Sequence, residues 1–480
     1  MTMTTVLSRN AFPTLPSYPE RMIQFGGGNF MRAFVDWQLQ QMNNKGMFQG
    51  SAVLIKPTDQ GVDDLLNEQD CLYTVLLNGI LDQKMISDRE IITSVSRLIN
   101  PYNDYESFLA LAEQDELEFI TSNTTEAGIT YHPEDRLDEA PQKSFPAKLT
   151  SLLYKRFQLG KKGFVIIPCE LIDRNGEKLR EIVLQYAADW KLGNDFVHWL
   201  ETENTFCCSL VDRIVPGYPR DKAEELEQEL GYQDNLMVDA EPFLFWVIEG
   251  PAWLEEALPL AKAGLNVVIT SDMTLYREQK VHLLNGPHTA MVSLGLLGGL
   301  ETVEEVMNDN LFSVFVQQLI EDELIPMLDL PLQELQSYAE AVQERFKNPF
   351  IRHELTSIYL NSISKFKTRL QPVLLRYQRE RGELPKLITL SFAALLLGYR
   401  GDRLHRQDSP EVLAVFDEAW KEPQSFISVI LKRTDLWGED LSSVPGLVQE
   451  LENNIQQLDS LGSRITLKQT IGGEIKCSDS

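Results

Sequence analysis

The chain has 480 residues, 43% of them hydrophobic and 24% charged, which is enough for two domains with a large core. A formal net charge of −27 argues against a nucleic-acid or anionic-membrane partner, since both want a basic surface, yet leaves room for a small anionic substrate held by a few local cations. The five cysteines (Cys71, Cys169, Cys207, Cys208 and Cys477) show no CxxC spacing, so free thiols in a reducing compartment are expected rather than a zinc ribbon or a disulfide scaffold.

No signal-peptide apolar block opens the sequence, and no run of about 18 apolar residues interrupts it, so a cytoplasmic protein without a transmembrane helix is expected. In chain order, Met22–Phe25 reads as a short strand ending in three glycines. Phe30, Ala33, Phe34 and Trp37 then recur at helical spacing. "AVLI" at 52–55 is a second strand, and "LYTVLLNGILDQKMIS" reads as a hairpin around Asn78-Gly79. "LEFITSN" (117–123), "FVIIPCE" (164–170) and "LNVVIT" (265–270) are further strands. Strands alternating with helices predict an α/β, Rossmann-like doubly wound, mainly parallel sheet. Beyond Lys280 long 3.6-period segments dominate, as in "NLFSVFVQQLIEDEL", "LPLQELQSYAEAVQERF" and "LITLSFAALLLGYR". The expected division is therefore a dinucleotide-binding domain with a β-hairpin extension over 1–275 and a mostly α-helical substrate and catalytic domain over 276–480.

The stretch "MIQFGGGNFMRAF" sets Gly26, Gly27 and Gly28 between a strand and a helix. A dinucleotide site needs this: one glycine permits the tight turn, another lets the backbone approach the pyrophosphate, and the helix N-terminus offers N–H donors to that anion. Asn29, Phe30, Met31 and Arg32 complete the candidate cradle. The strict G-x-G-x-x-G pattern fails at Met31, and a glycine-rich turn without a ligand is the plain alternative. At the end of the second strand, where an acidic residue would hold the ribose hydroxyls of NAD, stands Lys56, with Asp59 three residues on. The residues by themselves leave NAD and NADP both open.

In "KVHLLNGPH", a wheel at about 100° per residue puts His288 at about 80° and Asn285 at about 140° from Lys280, on one side of a helix. A lysine on a buried face loses proton affinity and can serve as general acid and base, while Asn285 and His288 can donate to an oxygen that becomes negative. An ordinary solvated helix carries such residues as well.

Taken together, these motifs resemble the polyol-specific long-chain dehydrogenases, the mannitol dehydrogenase family. "GGGNFMRAF" is similar to its G-x-G-x-F-x-R-A fingerprint, and Lys280, Asn285 and His288 to its K-x4-N-x2-H signature. "LVDRIVP" (210–216) and "RFKNPFIRHELTSIYLNSISKFKTR" resemble two further family segments. Within the family, "SNTTEAGI", "IIPCELIDRNG" and "LLNGPHTA" look like the members that act on keto-hexuronates. The resemblance implies metal-independent, NADH-dependent reduction of tagaturonate to altronate, with fructuronate or a polyol such as mannitol as alternatives. A sensor that binds NAD without turnover would not need the lysine. The resemblance also implies Lys280 as the proton donor, Asp212 near the site, either a relay or paired with Arg213, and Lys365 as a substrate-side lysine. Relatives usually carry C-D-N where this chain has Cys169-Glu170-Leu171, so the carbonyl-polarising asparagine is missing; Asn175 is the nearest replacement. The family arginine eight residues before Lys365 is replaced by Ser357, which leaves Arg352, His353 and Arg400 as further candidates for the substrate carboxylate.

Overall fold

The computed structural model describes residues 5–59, 63–125 and 127–472, with the side chains of residues 63 and 64 left aside. Cys477 lies outside the described residues; the other four cysteines are free and buried. The chain forms two compact units, one of residues 1–79 and 85–273, the other of residues 80–84 and 274–480.

The strands run β1 (Glu20–Phe25), β2 (Ser51–Ile55), β3 (Tyr73–Leu81), β4 (Lys84–Ile92), β5 (Val95–Ile99), β6 (Phe119–Ser122), β7 (Val165–Pro168), β8 (Thr205–Phe206), β9 (Cys208–Asp212), β10 (Val238–Ala240), β11 (Phe245–Glu249) and β12 (Val267–Thr270). The first unit is built on a six-stranded sheet of order β5-β2-β1-β6-β7-β8, parallel throughout. Its order reverses at β1, so the crevice beyond the carboxyl ends of β1 and β6 is the ligand position of a doubly wound sheet. β2 and β7 are buried along their whole length, as expected for strands covered on both faces. Ile23 and Phe25 enter one core with Ile120, Ile166 and Leu152, while Met22 enters another with Phe34, Phe119 and Trp246. Two small sheets, β10-β3-β4 and β12-β11-β9, complete the unit.

The hairpin turns later than its Asn-Gly pair suggests. Asp82 and Gln83 hold the left-handed φ values, 51° and 61°, that a two-residue hairpin turn requires. Asn78 instead lies inside β3, where its amide donates to Asp239 of β10 at 2.9 Å and accepts from Ser87 of β4 at 3.1 Å.

From residue 274 onward every named element is helical among the described residues. Gly286–Leu297 and Lys386–Gly398 pack together at the centre of this second unit, and both are buried almost throughout. Helices apolar on every side belong in such a core. Glu323 caps the second of them, its carboxylate accepting from the N–H groups of Leu387 (2.7 Å) and Ile388 (2.9 Å). No described helix is long and apolar enough to cross a membrane.

Candidate active site

In the first unit, β1 ends at Phe25 and a helix starts at Asn29 with no side chain capping its N-terminus. Gly26 has φ 104°, and a Cβ there would stand 2.8 Å from the carbonyl oxygen of Asn123; only glycine fits. Gly27 is bounded by Leu54. Gly28 has φ −69° and open space where a Cβ would go, so no protein atom demands glycine there. Uncapped N–H donors facing open space over a glycine fit the pyrophosphate of a dinucleotide, whose close approach would supply the missing reason.

Asn29 is exposed, whereas the side chains from Phe30 onward turn progressively inward. Met31 is in the core, and Phe30 stacks on Phe34 at 4.8 Å. Arg32 is buried, donating to the Leu236 carbonyl and, at 2.6 Å, to Asn29 Oδ1. The Arg32 N–H is taken by the Gly28 and Asn29 carbonyls, so the backbone donors open to a cofactor are those of residues 29–31. Asn29 also packs over Gly217, whose φ of 100° and nearness to the Asn29 amide leave no room for a side chain. Beneath the turn, Gln24 Nε2 donates to the Gly26 carbonyl (3.1 Å) and to Asp36 (3.4 Å), which also accepts from Tyr73 at 2.7 Å. Burial pushes the Asp36 carboxyl up to about 7, against those hydrogen bonds.

The carboxyl ends of β6 and β7 are tied together. Glu170 accepts from Ser122 (3.0 Å) and from the N–H and hydroxyl of Thr124 (2.9 Å each), and Asn123 donates to the Cys169 carbonyl at 3.0 Å. Leu171 is 64% exposed. Asn175 does not take over the missing asparagine's role. It is fully buried, its Nδ2 shared among the carbonyls of Pro168, Glu170 and Ser209 and its Oδ1 accepting from Gly176 and Ser209. With both amide hydrogens engaged, it braces β7 against β9 and has no donor left for a substrate. Asp212 is buried at the end of β9. The neighbouring Arg213 donates to the carbonyls of Glu241 and Ala33, both at 2.8 Å, and lies over the Trp37 ring. Glu177, Cys208 and Glu249 also converge, but Arg174 bonds both carboxylates and occupies the position a cation would take.

In the second unit, "KVHLLN" is a π-helical turn, Lys280–Asn285, between the helices Thr274–Gln279 and Gly286–Leu297. Pro287 accounts for it in part: lacking an N–H, it cannot continue the i→i−4 ladder to Leu283. The i→i+5 register of a π turn stacks Lys280 over Asn285, which a straight α-helix would hold about 140° apart. The wheel used on the sequence therefore fails across this segment, and the K-x4-N spacing corresponds to one π turn. Lys280 and Asn285 are half-buried; His282, Leu283 and Leu284 are buried.

His288 is buried, its ring 4.3 Å from Phe346 and 4.9 Å from His353, and its Nε2 has no partner among the described residues. Burial first, then the charges of His353, Arg345, Arg369 and Lys365, hold its pKa well below the usual imidazole value. It is neutral and can donate one N–H. Arg345 and Phe346 open the "RFKNP" segment, so that motif lies against this histidine. Lys365, on the helix Ser362–Arg369, donates to the Ile358 carbonyl at 2.7 Å. Ser357 is exposed and bonds the Glu354 carbonyl. Arg352 pairs with Glu301 and Glu354, and Arg400 with Asp402 and Asp459, so both are committed elsewhere. Arg369, which none of the sequence motifs singles out, lies four residues from Lys365 in "SKFKTR", on the same helix face.

A doubly wound unit with an open glycine turn, and a helical unit carrying lysine, asparagine and histidine on one π turn and the helix that follows it, define a dinucleotide-dependent dehydrogenase. The chain belongs to the mannitol dehydrogenase family: residues 20–262 match the mannitol dehydrogenase Rossmann domain and residues 272–459 the mannitol dehydrogenase C-terminal domain. It is 46% identical to a protein named altronate oxidoreductase from Pectobacterium atrosepticum, over 96% of this chain and 99% of the relative. The identity to the protein of the same name from Bacillus subtilis is also 46%, over 98% and 99%. Two solved structures share the fold at 22% identity. Pseudomonas fluorescens mannitol 2-dehydrogenase, in ternary complex with NAD and D-mannitol, has a TM-score of 0.71 over 98% of this chain and 100% of its own. A substrate-free D-sorbitol dehydrogenase has a TM-score of 0.81 over 96% and 100%.

Proposed function

We propose that the protein is an NAD-dependent oxidoreductase acting on a CH–OH group, and that it interconverts tagaturonate and altronate, a step in hexuronate breakdown. The observation that carries this reading is the likeness to altronate oxidoreductases at 45–46% identity along nearly the whole chain. The arrangement of Lys280, Asn285 and His288 suits the chemistry.

When bound, the nicotinamide supplies the hydride that converts the ketone carbon to a carbinol, or accepts it in the reverse direction. The glycine turn and the N–H groups at the start of the following helix would hold the pyrophosphate. The ketone oxygen gains negative charge as the carbon is reduced. Asn285, whose side chain makes no capping bond to the helix that follows it, and the neutral His288 imidazole would donate to that oxygen. Lys280 in its ammonium form would deliver the proton that completes the hydroxyl, and as the free amine would remove it during oxidation. Asp212 would accept a substrate hydroxyl. Nothing in this sequence of steps requires a metal ion.

The test follows oxidation of NADH and NADPH with tagaturonate, fructuronate and fructose in parallel. Turnover fastest with NADH and tagaturonate is expected. Equal or faster turnover of fructose would defeat the uronate assignment, and a preference for NADPH would overturn the NAD assignment.

A further inference from the structure

The helix Ser362–Arg369 is fixed to the π turn by His282, whose Nδ1 donates to the Arg369 carbonyl at 2.7 Å. From that last turn, Arg369 Nη1 donates to Thr289 Oγ1 at 3.2 Å. The Thr289 hydroxyl in turn donates to the Asn285 carbonyl at 2.9 Å. The guanidinium thus sits one helical turn beyond Asn285 and against the residue that follows His288. Lys365 lies four residues earlier on the same helix face.

These two cations differ from several arginines of the same unit in one respect. Arg352, Arg376, Arg400 and Arg406 each hold a carboxylate. Among the described residues neither Lys365 nor Arg369 forms an ion pair, although the chain has 71 acidic side chains against 44 Lys and Arg. Both are partly withdrawn from water, and burial lowers the pKa of each, assisted at Lys365 by the charge of Arg369 and opposed there by that of Asp408. Desolvated cations that no carboxylate bonds directly are costly and mark places where a ligand anion completes the arrangement. The unpartnered, buried Nε2 of His288 lies in the same group.

We propose that Arg369, with Lys365 beside it, binds the carboxylate of the substrate and so selects a keto-acid over an uncharged ketose. This rests on the reading of the enzyme as a keto-hexuronate reductase. A planar guanidinium meets a carboxylate with two parallel N–H···O bonds, and the ammonium adds a point charge on one side. The ketone end is left to Asn285 and His288 on the neighbouring helix. The two recognised groups then stand at separate points along the substrate, which sets the direction in which it binds.

The experiment compares wild type, Arg369→Gln and Arg369→Lys, each assayed with tagaturonate and with fructose, with NADH affinity followed by fluorescence titration as a check on folding. The wild-type preference for tagaturonate is measured first; its absence would defeat the functional reading before any variant is considered. Given that preference, Arg369→Gln is expected to raise KM for tagaturonate about 10- to 100-fold and to shrink the tagaturonate-to-fructose ratio of kcat/KM by a similar factor. Arg369→Lys should recover part of that ratio. A ratio unchanged in Arg369→Gln, or an equal loss on both substrates that lysine does not rescue, would overturn the assignment while leaving the enzyme's function standing.

Discussion

At the scale of single residues, the chemistry divides between a side chain that moves a proton and side chains that hold charge still. Lys280 is placed on the π turn to give a proton and take it back, whereas His282 of the same turn is bound through Nδ1 to the Arg369 carbonyl and His288, on the helix that follows, is kept neutral by burial and by surrounding cations. Lys280→Ala should therefore lower kcat by about 10² or more while NADH binding stays as in wild type. Near-normal turnover in that variant would remove the proton-transfer role. His288 makes a different prediction. Its pKa is depressed well below 6.5, so its deprotonation is complete before the range in which such an enzyme works. His288→Asn should reduce kcat by about 10- to 100-fold through loss of a donor, yet leave the pH–rate profile with the same inflections. A limb of that profile vanishing in the variant would mean that the imidazole titrates during turnover.

At the scale of elements, the glycine turn separates glycines required by the protein from one that the protein does not require. Gly26→Ala forces a Cβ onto the Asn123 carbonyl in a left-handed conformation, so a lower melting temperature is expected. Gly28→Ala meets no protein atom, so stability should hold while the dissociation constant for NADH rises about tenfold or more. Equal NADH affinity in wild type and Gly28→Ala would detach the turn from cofactor binding. The same elements show what the sequence could and could not reveal. The strand, three glycines and helix were legible because each is local: an apolar run, residues that permit the turn, and a 3.6-residue period. Lys280, Asn285 and His288 were legible as a spacing, but their geometry was not, because a wheel assumes an unbroken α-helix and the π turn shifts its register by one residue. The Asn78-Gly79 turn was misread because pairing with β10 and β4 holds Asn78 in a strand, a long-range cause that no short window contains. Asn175 was misjudged for a similar reason: its partners on β7 and β9 come together only in the fold. Arg369 needed the contact with Thr289, eighty residues away, to stand out from an ordinary basic helix.

At the scale of the whole molecule, two buried carboxyl groups have their proton affinity raised to about 7: Asp36 under the glycine turn and, in the other unit, Glu323 at the N-terminus of the central helix Lys386–Gly398. Burial is the main cause in both, opposed at Asp36 by Tyr73 and Gln24 and at Glu323 by the N–H groups of Leu387 and Ile388. In the unfolded chain these groups ionise near the ordinary 3.8 and 4.5. Between those values and about 7 the folded protein therefore binds more protons than the unfolded one, and stability must fall as pH rises. The contribution is complete below about pH 4 and is lost as pH passes through 7. Surface carboxylates paired with arginine, such as Asp402 and Asp459, act in the opposite sense: their pKa values are lowered, and their contribution disappears only in acid. A chain carrying a net charge of −27 adds self-repulsion that grows with pH. The stability optimum should then lie on the acid side of neutrality, near pH 5, with a melting temperature several degrees lower at pH 8. Asp36→Asn and Glu323→Gln replace each carboxyl by a group that cannot ionise, and combined they should flatten the decline between pH 5 and 8. Denaturant melts of wild type and double variant across that range decide the matter. A double variant as pH-sensitive as wild type would place the dependence in other groups, such as the buried Glu170 and Asp234, whose pKa values burial also raises, and a wild type more stable at pH 8 than at pH 5 would reverse the sign assigned to both groups.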